Sequence, residues 1–152
     1  MLGTITIIRA SLPLKNVKHL QKRIKSVYQL TAHIVFVVKY RKRAISLEIL
    51  HELKIIFEET LTKWECQLVD FNGESDHVHL LVNYKRSIEL SKLIANLKTV
   101  SSRLIRKKHP ELSKKFFYGK PYFWTGSYFV ASCGGVTIET LKKYVESQKT
   151  PD

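Results

Sequence analysis

Two histidines in one short segment could hold a metal ion. In the run Asp76–Val82, His77 and His79 alternate with Val78 and Leu80, and this alternation indicates a β-strand. Because alternate side chains of a strand share a face, the two imidazoles should lie side by side, opposite the apolar residues. A neutral imidazole offers a lone pair to a divalent cation. Two hydrogen-bonded polar residues on an exposed face would give the same pattern, so both interpretations stay open on this motif alone.

A tyrosine and a glutamine near the end of the sequence form a second candidate set. Tyr144 and Gln148 are four residues apart, so they share one face of a predicted helix. A tyrosine phenolate can attack phosphorus and form a covalent ester. The carbonyl oxygen of glutamine can coordinate a hard cation such as Mg²⁺ or Mn²⁺. Taken alone, an interfacial tyrosine and a solvated glutamine explain these two residues better.

The hydrophobic pattern predicts the elements that must position these residues. Four segments have the composition of strands, namely Tyr28–Tyr40, Cys66–Phe71, His77–Asn83 and Ser127–Ser132. Asn72 and Gly73 are typical of a hairpin turn between the second and third strands. Three helices are expected: one capped by Ser46, one capped by Ser87 and ending near Lys108 before Pro110, and one capped by Thr137 and ending near Gln148.

The order of these elements predicts the fold class. A β-α-β-β-α-β order followed by a helix is typical of a ferredoxin-like (split βαβ) α+β fold, an antiparallel sheet with two helices on one face. Here a C-terminal helix that carries Tyr144 follows. Without internal repeats or Gly/Ser-rich linkers, we expect a single domain over residues 28–152 and an N-terminal extension of unknown role over residues 1–27. The fold hosts many functions and does not decide among them.

The chain is strongly basic. Over 152 residues, 26 Lys and Arg against 13 Asp and Glu give a formal net charge of +13. This charge favours a polyanionic partner, such as nucleic acid or an anionic membrane, over the alternative of a merely solvated basic surface. Residues 1–47 hold ten basic and no acidic residues, and residues 98–120 hold eight basic and one acidic residue. The 44% hydrophobic content is ordinary for a globular protein and excludes a disordered polycation.

Membrane-spanning and exported proteins are not expected. The longest apolar run, Ile34–Val38, is far shorter than the ~20 residues of a spanning helix. Met1–Leu12 lacks a basic region before its isoleucines and a small-residue cleavage site, so we predict no signal peptide. Cys66 and Cys133 are far apart, which argues against a disulfide scaffold or a thiolate zinc site. We therefore expect a cytoplasmic protein.

An aromatic cluster overlaps the second basic block. Residues 116–129 hold eight Phe, Tyr and Trp side chains. Aromatic rings beside Lys and Arg are typical of single-stranded DNA binding, in which rings stack on bases and cations pair with phosphates. Tyr122 and Trp124, which lie near Lys120, are candidates for stacking or for a dimer contact, whereas Phe129 is expected in the core.

The motifs taken together resemble those of a known family. The segments are His33–Arg41, Asp76–Val82, Lys98–Arg103, Phe123–Phe129, and Gly134–Thr137 followed by Tyr144 and Gln148. Their order and spacing resemble those of the small single-tyrosine transposases of the IS200/IS605 insertion sequences, a branch of the HUH endonucleases. The resemblance covers about residues 28–149 and leaves the preceding segment without a counterpart.

The resemblance implies an active site and a mechanism. His77, His79 and Gln148 would hold one Mg²⁺ or Mn²⁺ ion, which would polarise and orient the scissile phosphate. Tyr144 would attack the phosphorus, leaving a 5′-phosphotyrosine and a free 3′-OH on the departing strand. Because the covalent ester conserves bond energy, no nucleotide cofactor is expected, and the sequence contains no GxxxxGK phosphate loop.

The resemblance also implies partners. The family forms homodimers in which the tyrosine helix of one subunit completes the histidine site of the other. Gly134 and Gly135 could be the hinge for that exchange, or simply a strand-to-helix turn. The family recognises hairpins in single-stranded DNA at element ends. Basic residues near the end of the first strand, on the second helix and beside the aromatic cluster are therefore candidates for DNA binding: Lys39, Arg41, Lys98, Arg103, Arg106, Lys107 and Lys120.

Two other functions remain open. A replication initiator, a relaxase or a domesticated repeat-associated transposase would share the HUH motif but act on a different DNA. A non-enzymatic nucleic-acid-binding module would explain the charge and the aromatic residues, but it would leave the joint presence of His77, His79, Tyr144 and Gln148 to coincidence. An assay for metal-dependent DNA cleavage would distinguish the HUH enzymes from a non-enzymatic binding module.

Overall fold

A computed structural model of the chain describes residues 6–8, 30–132 and 147. In chain order the strands and helices are β1 (Thr6–Ile8), β2 (Leu30–Val37), α1 (Leu47–Lys63), β3 (Gln67–Gly73), β4 (His77–Tyr84), α2 (Leu90–Lys108), α3 (Glu111–Phe116) and β5 (Phe129–Ser132). A single 3-10 turn, Lys39–Arg41, follows β2. The short helix α3 and the 3-10 turn are additions to the elements that the hydrophobic pattern predicts.

The strands form one sheet in the order β1-β5-β2-β4-β3. Strands β2 to β5 pair antiparallel throughout, in the order β5-β2-β4-β3, and β1 pairs parallel with β5 at the edge. This is the arrangement of two interleaved βαβ units, so the predicted α+β fold with an antiparallel sheet is confirmed. The predicted C-terminal helix with Tyr144 lies outside the described residues.

One face of the sheet carries the main core. Ile34 and Phe36 of β2 and Val78 and Leu80 of β4 are at most 1% exposed and belong to one apolar cluster. Both long helices contribute their apolar faces to that cluster: Ile49, Leu53, Phe57 and Leu61 from α1, and Leu93, Ile94, Leu97 and Ile105 from α2. Burial of these faces against the sheet is the main source of stability, and it leaves the odd-numbered positions of β2 and β4 on the opposite face.

The ends of the two long helices are set by different means. The Ser46 hydroxyl oxygen accepts a hydrogen bond from the Ile49 amide at 3.1 Å, which confirms the predicted cap of α1. The predicted cap of α2 was wrong: Ser87 lies in a turn closed by the Ile88 amide and the Lys85 carbonyl at 2.9 Å. Helix α2 begins only at Leu90 and, as predicted, ends at Lys108, ahead of a proline.

The hairpin between β3 and β4 turns later than predicted. Asn72 pairs with His79 and Gly73 with Val78, so both residues belong to the ladder and the predicted Asn-Gly turn was wrong. The Glu74 amide donates to the His77 carbonyl at 2.9 Å and closes the turn around residues 75–76. Gly73 is instead required for close packing, because an added Cβ would lie 2.7 Å from Leu50 Cδ1 and 2.8 Å from Val78 Cγ1.

This packing predicts the effect of a single methyl group. In Gly73→Ala the new Cβ would also lie 2.9 Å from the His77 carbonyl oxygen, and the backbone cannot yield as a side chain can. We expect a loss of about 1–3 kcal/mol in the free energy of unfolding, measured by urea denaturation. The matched control is Gly126→Ala, whose Cβ meets nothing within 4 Å. Equal stability of the two variants would contradict the packing.

The N-terminal boundary predicted at residue 27 stays a prediction. Before residue 30 the structure describes Thr6–Ile8, whose backbone pairs with Phe129–Ala131 of β5 and extends the sheet by one short strand. Cys66 is a free, buried thiol, while Cys133 lies outside the described part of the chain. Among the residues described, no helix combines the length and the apolarity needed to cross a bilayer.

Candidate metal centre and nucleic-acid interface

The histidine pair lies on the face of β4 opposite the core. The rings of His77 and His79 are stacked with their centres 6.0 Å apart and their planes inclined by 17°. Their cross-strand partners are Val37 and Val35 of β2. The predicted placement of the two rings side by side is therefore confirmed, and the intervening Val78 points into the core.

A buried carboxylate orients one of the two rings. Asp76 is 7% exposed, and its Oδ1 lies 2.8 Å from His77 Nδ1 while its Oδ2 accepts from Arg41 Nε at 2.6 Å. Burial alone would raise the pKa of Asp76, but the hydrogen bonds and charges of His77 and Arg41 outweigh it and lower the pKa. The ionised carboxylate can only accept, so Nδ1 of His77 donates this hydrogen bond and Nε2 is the ring nitrogen that Asp76 leaves available.

The second ring is held in its neutral form. Burial lowers the pKa of His79, and the neighbouring His77 and His33 lower it further, against opposing contributions from Asp70 and Glu74. Burial likewise lowers the pKa of His33, which shares this face of the sheet. A neutral imidazole is the form that binds a metal. The position of His33 on this face was missed, although the alternation of side chains along β2 could have predicted it.

Two groups of donor atoms in the described residues are close enough to share a cation. Glu74, Asp76 and His77 place donor atoms within 4.8 Å of one another, directly beside the histidine pair. The second group comprises Glu48, Glu52 and His109.

Packing accounts for the second group. His109 Nε2 lies 2.6 Å from Glu52 Oε1, and Lys108 pairs with the other oxygen of the same carboxylate. Burial would raise the pKa of Glu52, but the hydrogen bonds from Lys108 and His109 lower it, so the carboxylate is held ionised. The network fastens α1 to the end of α2. Among the residues that the structure describes, this leaves the group that contains Asp76 and His77 as the candidate metal centre.

The other predicted members of the active site cannot be placed. Tyr144, Gln148 and the predicted hinge residues Gly134 and Gly135 lie outside the described residues. Their roles as nucleophile, third metal ligand and hinge therefore stay predictions.

The basic residues near the end of α2 differ in exposure. Arg103 and Lys107 are exposed to solvent. Arg106 is half-buried, and its Nε donates to Ser102 Oγ at 3.2 Å, within the same helix. Arg103 and Lys107 are thus the members of this predicted DNA-binding set that face solvent most openly.

A groove separates α2 from the loop before β5. It has a volume of about 310 Å³ and is lined by both elements, with Arg106 on one side and Tyr122 on the other. Lys98 Nζ donates to the Thr125 carbonyl oxygen at 2.7 Å and lies 5.7 Å from the centre of the Tyr128 ring. Lys98 therefore has a structural role in joining the two walls of the groove.

Trp124 does not fit the stacking role predicted for it. It is 7% exposed, its ring centre lies 4.6 Å from that of Phe123, and its Nε1 donates to Ser101 Oγ at 2.9 Å. A ring packed into the core cannot offer its face to a base, so this prediction was wrong. Phe129, in contrast, is 2% exposed and buried as predicted.

The remaining predicted contacts lie around the 3-10 turn. Lys39 Nζ lies 5.1 Å from the centre of the half-buried Tyr122 ring, and Arg41 uses Nε to hold Asp76. Lys120 is exposed in the loop that follows α3. The structure thus brings the end of β2 and the loop around Tyr122 together, next to the carboxylate that orients His77.

Comparison with known proteins gives one consistent answer. A family model described as IS200-like transposase matches residues 26–148. The ISDra2 transposase TnpA of Deinococcus radiodurans is 30% identical over 122 residues, covering 80% of this chain and 86% of that protein. The transposase for insertion sequence element IS200 of Salmonella typhimurium is 28% identical over 121 residues, covering 79% of this chain and 77% of that protein.

Solved structures agree. A crystal structure of a Deinococcus radiodurans protein assigned as a transposase superposes with a TM-score of 0.70 at 26% identity, covering 80% of this chain and 92% of that one. A REP-associated tyrosine transposase bound to a REP hairpin superposes with a TM-score of 0.52 at 8% identity, covering 79% of this chain and 64% of that one. The second likeness concerns the fold alone.

Proposed function

The chain belongs to the IS200-like transposase family, and we propose that it is a metal-dependent enzyme that cleaves single-stranded DNA and transfers the strand through a covalent tyrosine intermediate. The observation that carries the proposal is the stacked pair of His77 and His79, with Asp76 fixing the first ring. Nucleic-acid binding alone does not require two stacked imidazoles, the first of them held by a buried carboxylate.

The donor set fits a divalent cation. The hydrogen bond from Nδ1 of His77 to Asp76 leaves Nε2 as the nitrogen available to a metal, and burial lowers the pKa of His79 and so favours its neutral form. We propose that these two rings and the side-chain oxygen of Gln148 hold Mg²⁺ or Mn²⁺. When bound, the ion would polarise the scissile phosphate and neutralise the charge that develops on it.

Tyr144 is the proposed nucleophile. Its phenolic oxygen forms a bond to phosphorus as the bond from phosphorus to the 3′ oxygen breaks, and the phenolic proton ends on the departing 3′-OH. The product is a 5′-phosphotyrosine, which the 3′-OH of a second strand resolves by the reverse step. Each step exchanges one phosphodiester for another, so the proposed reaction uses no nucleotide cofactor.

The proposed partner is single-stranded DNA that contains a hairpin. The exposed Arg103 and Lys107 on α2 and the basic loop after β2 supply positive charge for its phosphates. The protein of the same fold described above is bound to a REP hairpin. As in the family, we propose a homodimer in which the Tyr144 helix completes the partner's histidine site, with Gly134 and Gly135 as the hinge.

The direct experiment is a cleavage assay on a labelled single-stranded oligonucleotide with a hairpin. With Mg²⁺ or Mn²⁺ we expect nicking and a covalent protein–DNA species that survives denaturing electrophoresis. With EDTA we expect binding without either product. If the chain binds the oligonucleotide but never cleaves it with any divalent metal, the non-enzymatic module is the better description.

Removing the charge of Asp76 should weaken metal binding through His77. The ionised carboxylate of Asp76 accepts hydrogen bonds from both Arg41 Nε and His77 Nδ1. In Asp76→Asn one of these two oxygens is replaced by an NH₂ group, which donates and so cannot accept from the Arg41 or His77 nitrogen that it faces. We expect the affinity for Mn²⁺ to fall about 10- to 100-fold, measured by titration calorimetry on the full chain.

The control for this effect is a carboxylate that bonds to neither histidine. Asp70 lies on β3, and its Oδ1 accepts from the Phe71 amide. Asp70→Asn should leave the Mn²⁺ affinity within about threefold, since its influence on His79 is only electrostatic. If both variants bind Mn²⁺ like the unchanged chain, Asp76 does not position a metal ligand.

A further inference from the structure

Three tyrosines and two lysines form a continuous surface that we call the tyrosine surface: Tyr40, Tyr118 and Tyr122 with Lys39 and Lys42. The ring centre of Tyr40 lies 5.8 Å from that of Tyr118 and 6.4 Å from that of Tyr122, both in edge-to-face geometry. Lys39 Nζ lies 5.4 Å from the centre of the Tyr40 ring and 5.1 Å from that of Tyr122, and Lys42 Nζ lies 6.0 Å from that of Tyr118.

Packing explains only part of this arrangement. Tyr40 and Tyr122 are half-buried against the core, which accounts for their position. Tyr118 is 74% exposed, so its ring extends the surface into solvent while burying little of itself. A large exposed ring next to two other rings and two cations offers contact area that the fold itself does not use.

The backbone that carries this surface is strained. Tyr40, Arg41 and Tyr118 have φ of +59°, +53° and +55°, a left-handed conformation that costs free energy for any residue except glycine. The adjoining Gly119 has φ of +77°. Such conformations persist where the surrounding structure enforces them, and they concentrate at ligand-binding sites.

Backbone hydrogen bonds hold the two strained loops in place. The Lys39 amide donates to the Phe123 carbonyl at 2.8 Å and so joins the loop after β2 to the loop before β5. The Gly119 amide donates to the Ser113 carbonyl at 3.0 Å, which fixes the turn at Tyr118 on α3. The backbone that carries the tyrosine surface is therefore held by hydrogen bonds to other parts of the fold.

Its position links it to the candidate metal centre. Arg41, in the middle of the first loop, bonds to Asp76, and Asp76 bonds to His77. The Val38 amide donates to the Asp76 carbonyl at 2.9 Å, so β2 and the metal-site turn form one rigid frame. The tyrosine surface and the histidine pair are thus connected through Arg41 and Asp76, so one nucleic-acid strand that runs from the histidines toward the end of β2 could contact both.

The positive charge of these loops and their tyrosine rings together favour a single-stranded nucleic acid as the ligand. Residues 39–43 and 112–122 hold seven Lys and Arg side chains and no Asp or Glu. Cations suit phosphates, and tyrosine faces stack on unpaired bases of any sequence. Bases in a duplex are already stacked, so they could not use the rings.

We propose that the tyrosine surface is a base-stacking site for the single strand beside the scissile phosphate, with Tyr118 as its outermost ring. The proposal rests on the proposed function and names the part of the DNA that lies next to the metal centre: unpaired nucleotides, held by stacking as well as by charge.

The test compares a strand that has bases with one that lacks them. Binding is measured in EDTA, with oligothymidylate of about ten nucleotides and with an abasic strand of the same length and charge. Tyr118→Leu, which keeps an apolar side chain but removes the ring, should bind oligothymidylate about tenfold more weakly and leave abasic binding unchanged. Tyr118→Phe, which keeps the ring, should bind both strands like the unchanged chain.

The control variant is Ile55→Ala, which removes an exposed apolar side chain of α1 and should alter neither affinity. If Tyr118→Leu binds both strands normally, or weakens both equally, the tyrosine surface is not a stacking site. Adduct formation on a hairpin substrate is measured in parallel with the unchanged chain. If the unchanged chain forms the adduct and Tyr118→Leu binds both strands normally, only the stacking site is overturned. If the unchanged chain binds no single strand and forms no adduct, the proposed function is overturned as well.

Discussion

Replacing Tyr144 with phenylalanine should abolish the covalent protein–DNA adduct and leave DNA binding intact. The variant loses only the phenolic oxygen, and no other group in the proposed mechanism can form the phosphodiester in its place. We expect the rate of adduct formation to fall by at least about a thousandfold. Electrophoretic mobility shift on the same oligonucleotide in EDTA should show unchanged affinity, because stacking and phosphate contacts do not need that hydroxyl.

The matched control is another tyrosine in a packed environment. Tyr128 has its pKa raised by burial, and its ring packs edge-on to Phe36 with the centres 6.5 Å apart. Tyr128→Phe keeps that ring and should change the rate of adduct formation by no more than about twofold. An adduct that persists in Tyr144→Phe would show that another side chain is the nucleophile.

Replacing His79 with alanine should remove metal-dependent cleavage almost completely. The variant loses one of the two stacked imidazoles that the proposal assigns as metal ligands and leaves His77, held by Asp76, as the other histidine ligand. We expect cleavage at a fixed Mn²⁺ concentration to fall by about 100-fold or more, and excess Mn²⁺ to restore part of it because the site is weakened rather than destroyed.

His33 provides the control for this second variant. It lies on the same face of the sheet, and burial lowers its pKa as it does for His79, but the metal proposal gives it no role. His33→Ala should therefore cleave within about threefold of the unchanged chain. If His33→Ala and His79→Ala lose cleavage equally, the histidine cluster acts by another route than the proposed ligand pair.

Local sequence pattern was enough to predict the parts of the fold that depend on periodicity. The alternation around His77 and His79 predicts which face each side chain occupies, and the register of β4 against β2 agrees. Ser46 caps α1 because a serine hydroxyl before an amphipathic run has a free amide within reach. Hydrophobic periodicity also defines the strands and helices along the chain, and their order predicted the antiparallel sheet.

The errors occur where tertiary packing overrides a local signal. Asn72 and Gly73 have the composition of a turn, but both lie in the ladder, and at Gly73 the side chains of Leu50 and Val78 leave no room for a Cβ. Ser87 has the composition of a cap, yet the chain makes a turn there before α2 begins.

In the candidate site, too, local sequence pattern predicted some features, whereas others depend on contacts between distant segments. The histidine pair was predictable from strand parity, whereas the bond between Arg41 and Asp76 joins residues 35 positions apart and could not be predicted from spacing. Trp124 was predicted to stack on a base or to form a dimer contact because it lies in a segment dense in aromatic residues. The structure distinguishes its buried ring from the exposed ring of Tyr118.

The most direct test of the proposed mechanism is to determine which end of the cleaved strand is attached to the protein, and at which residue. A hairpin oligonucleotide is labelled at either its 5′ or its 3′ end, incubated with the chain and Mn²⁺, and separated under denaturing conditions; the adduct is then digested and mapped by mass spectrometry. The proposal predicts that the 3′ label stays with the protein on a phosphotyrosine at Tyr144, and that the 5′-labelled fragment is released with a free 3′-OH. Attachment through the 5′-labelled fragment, attachment at another residue, or cleavage without any adduct would contradict it.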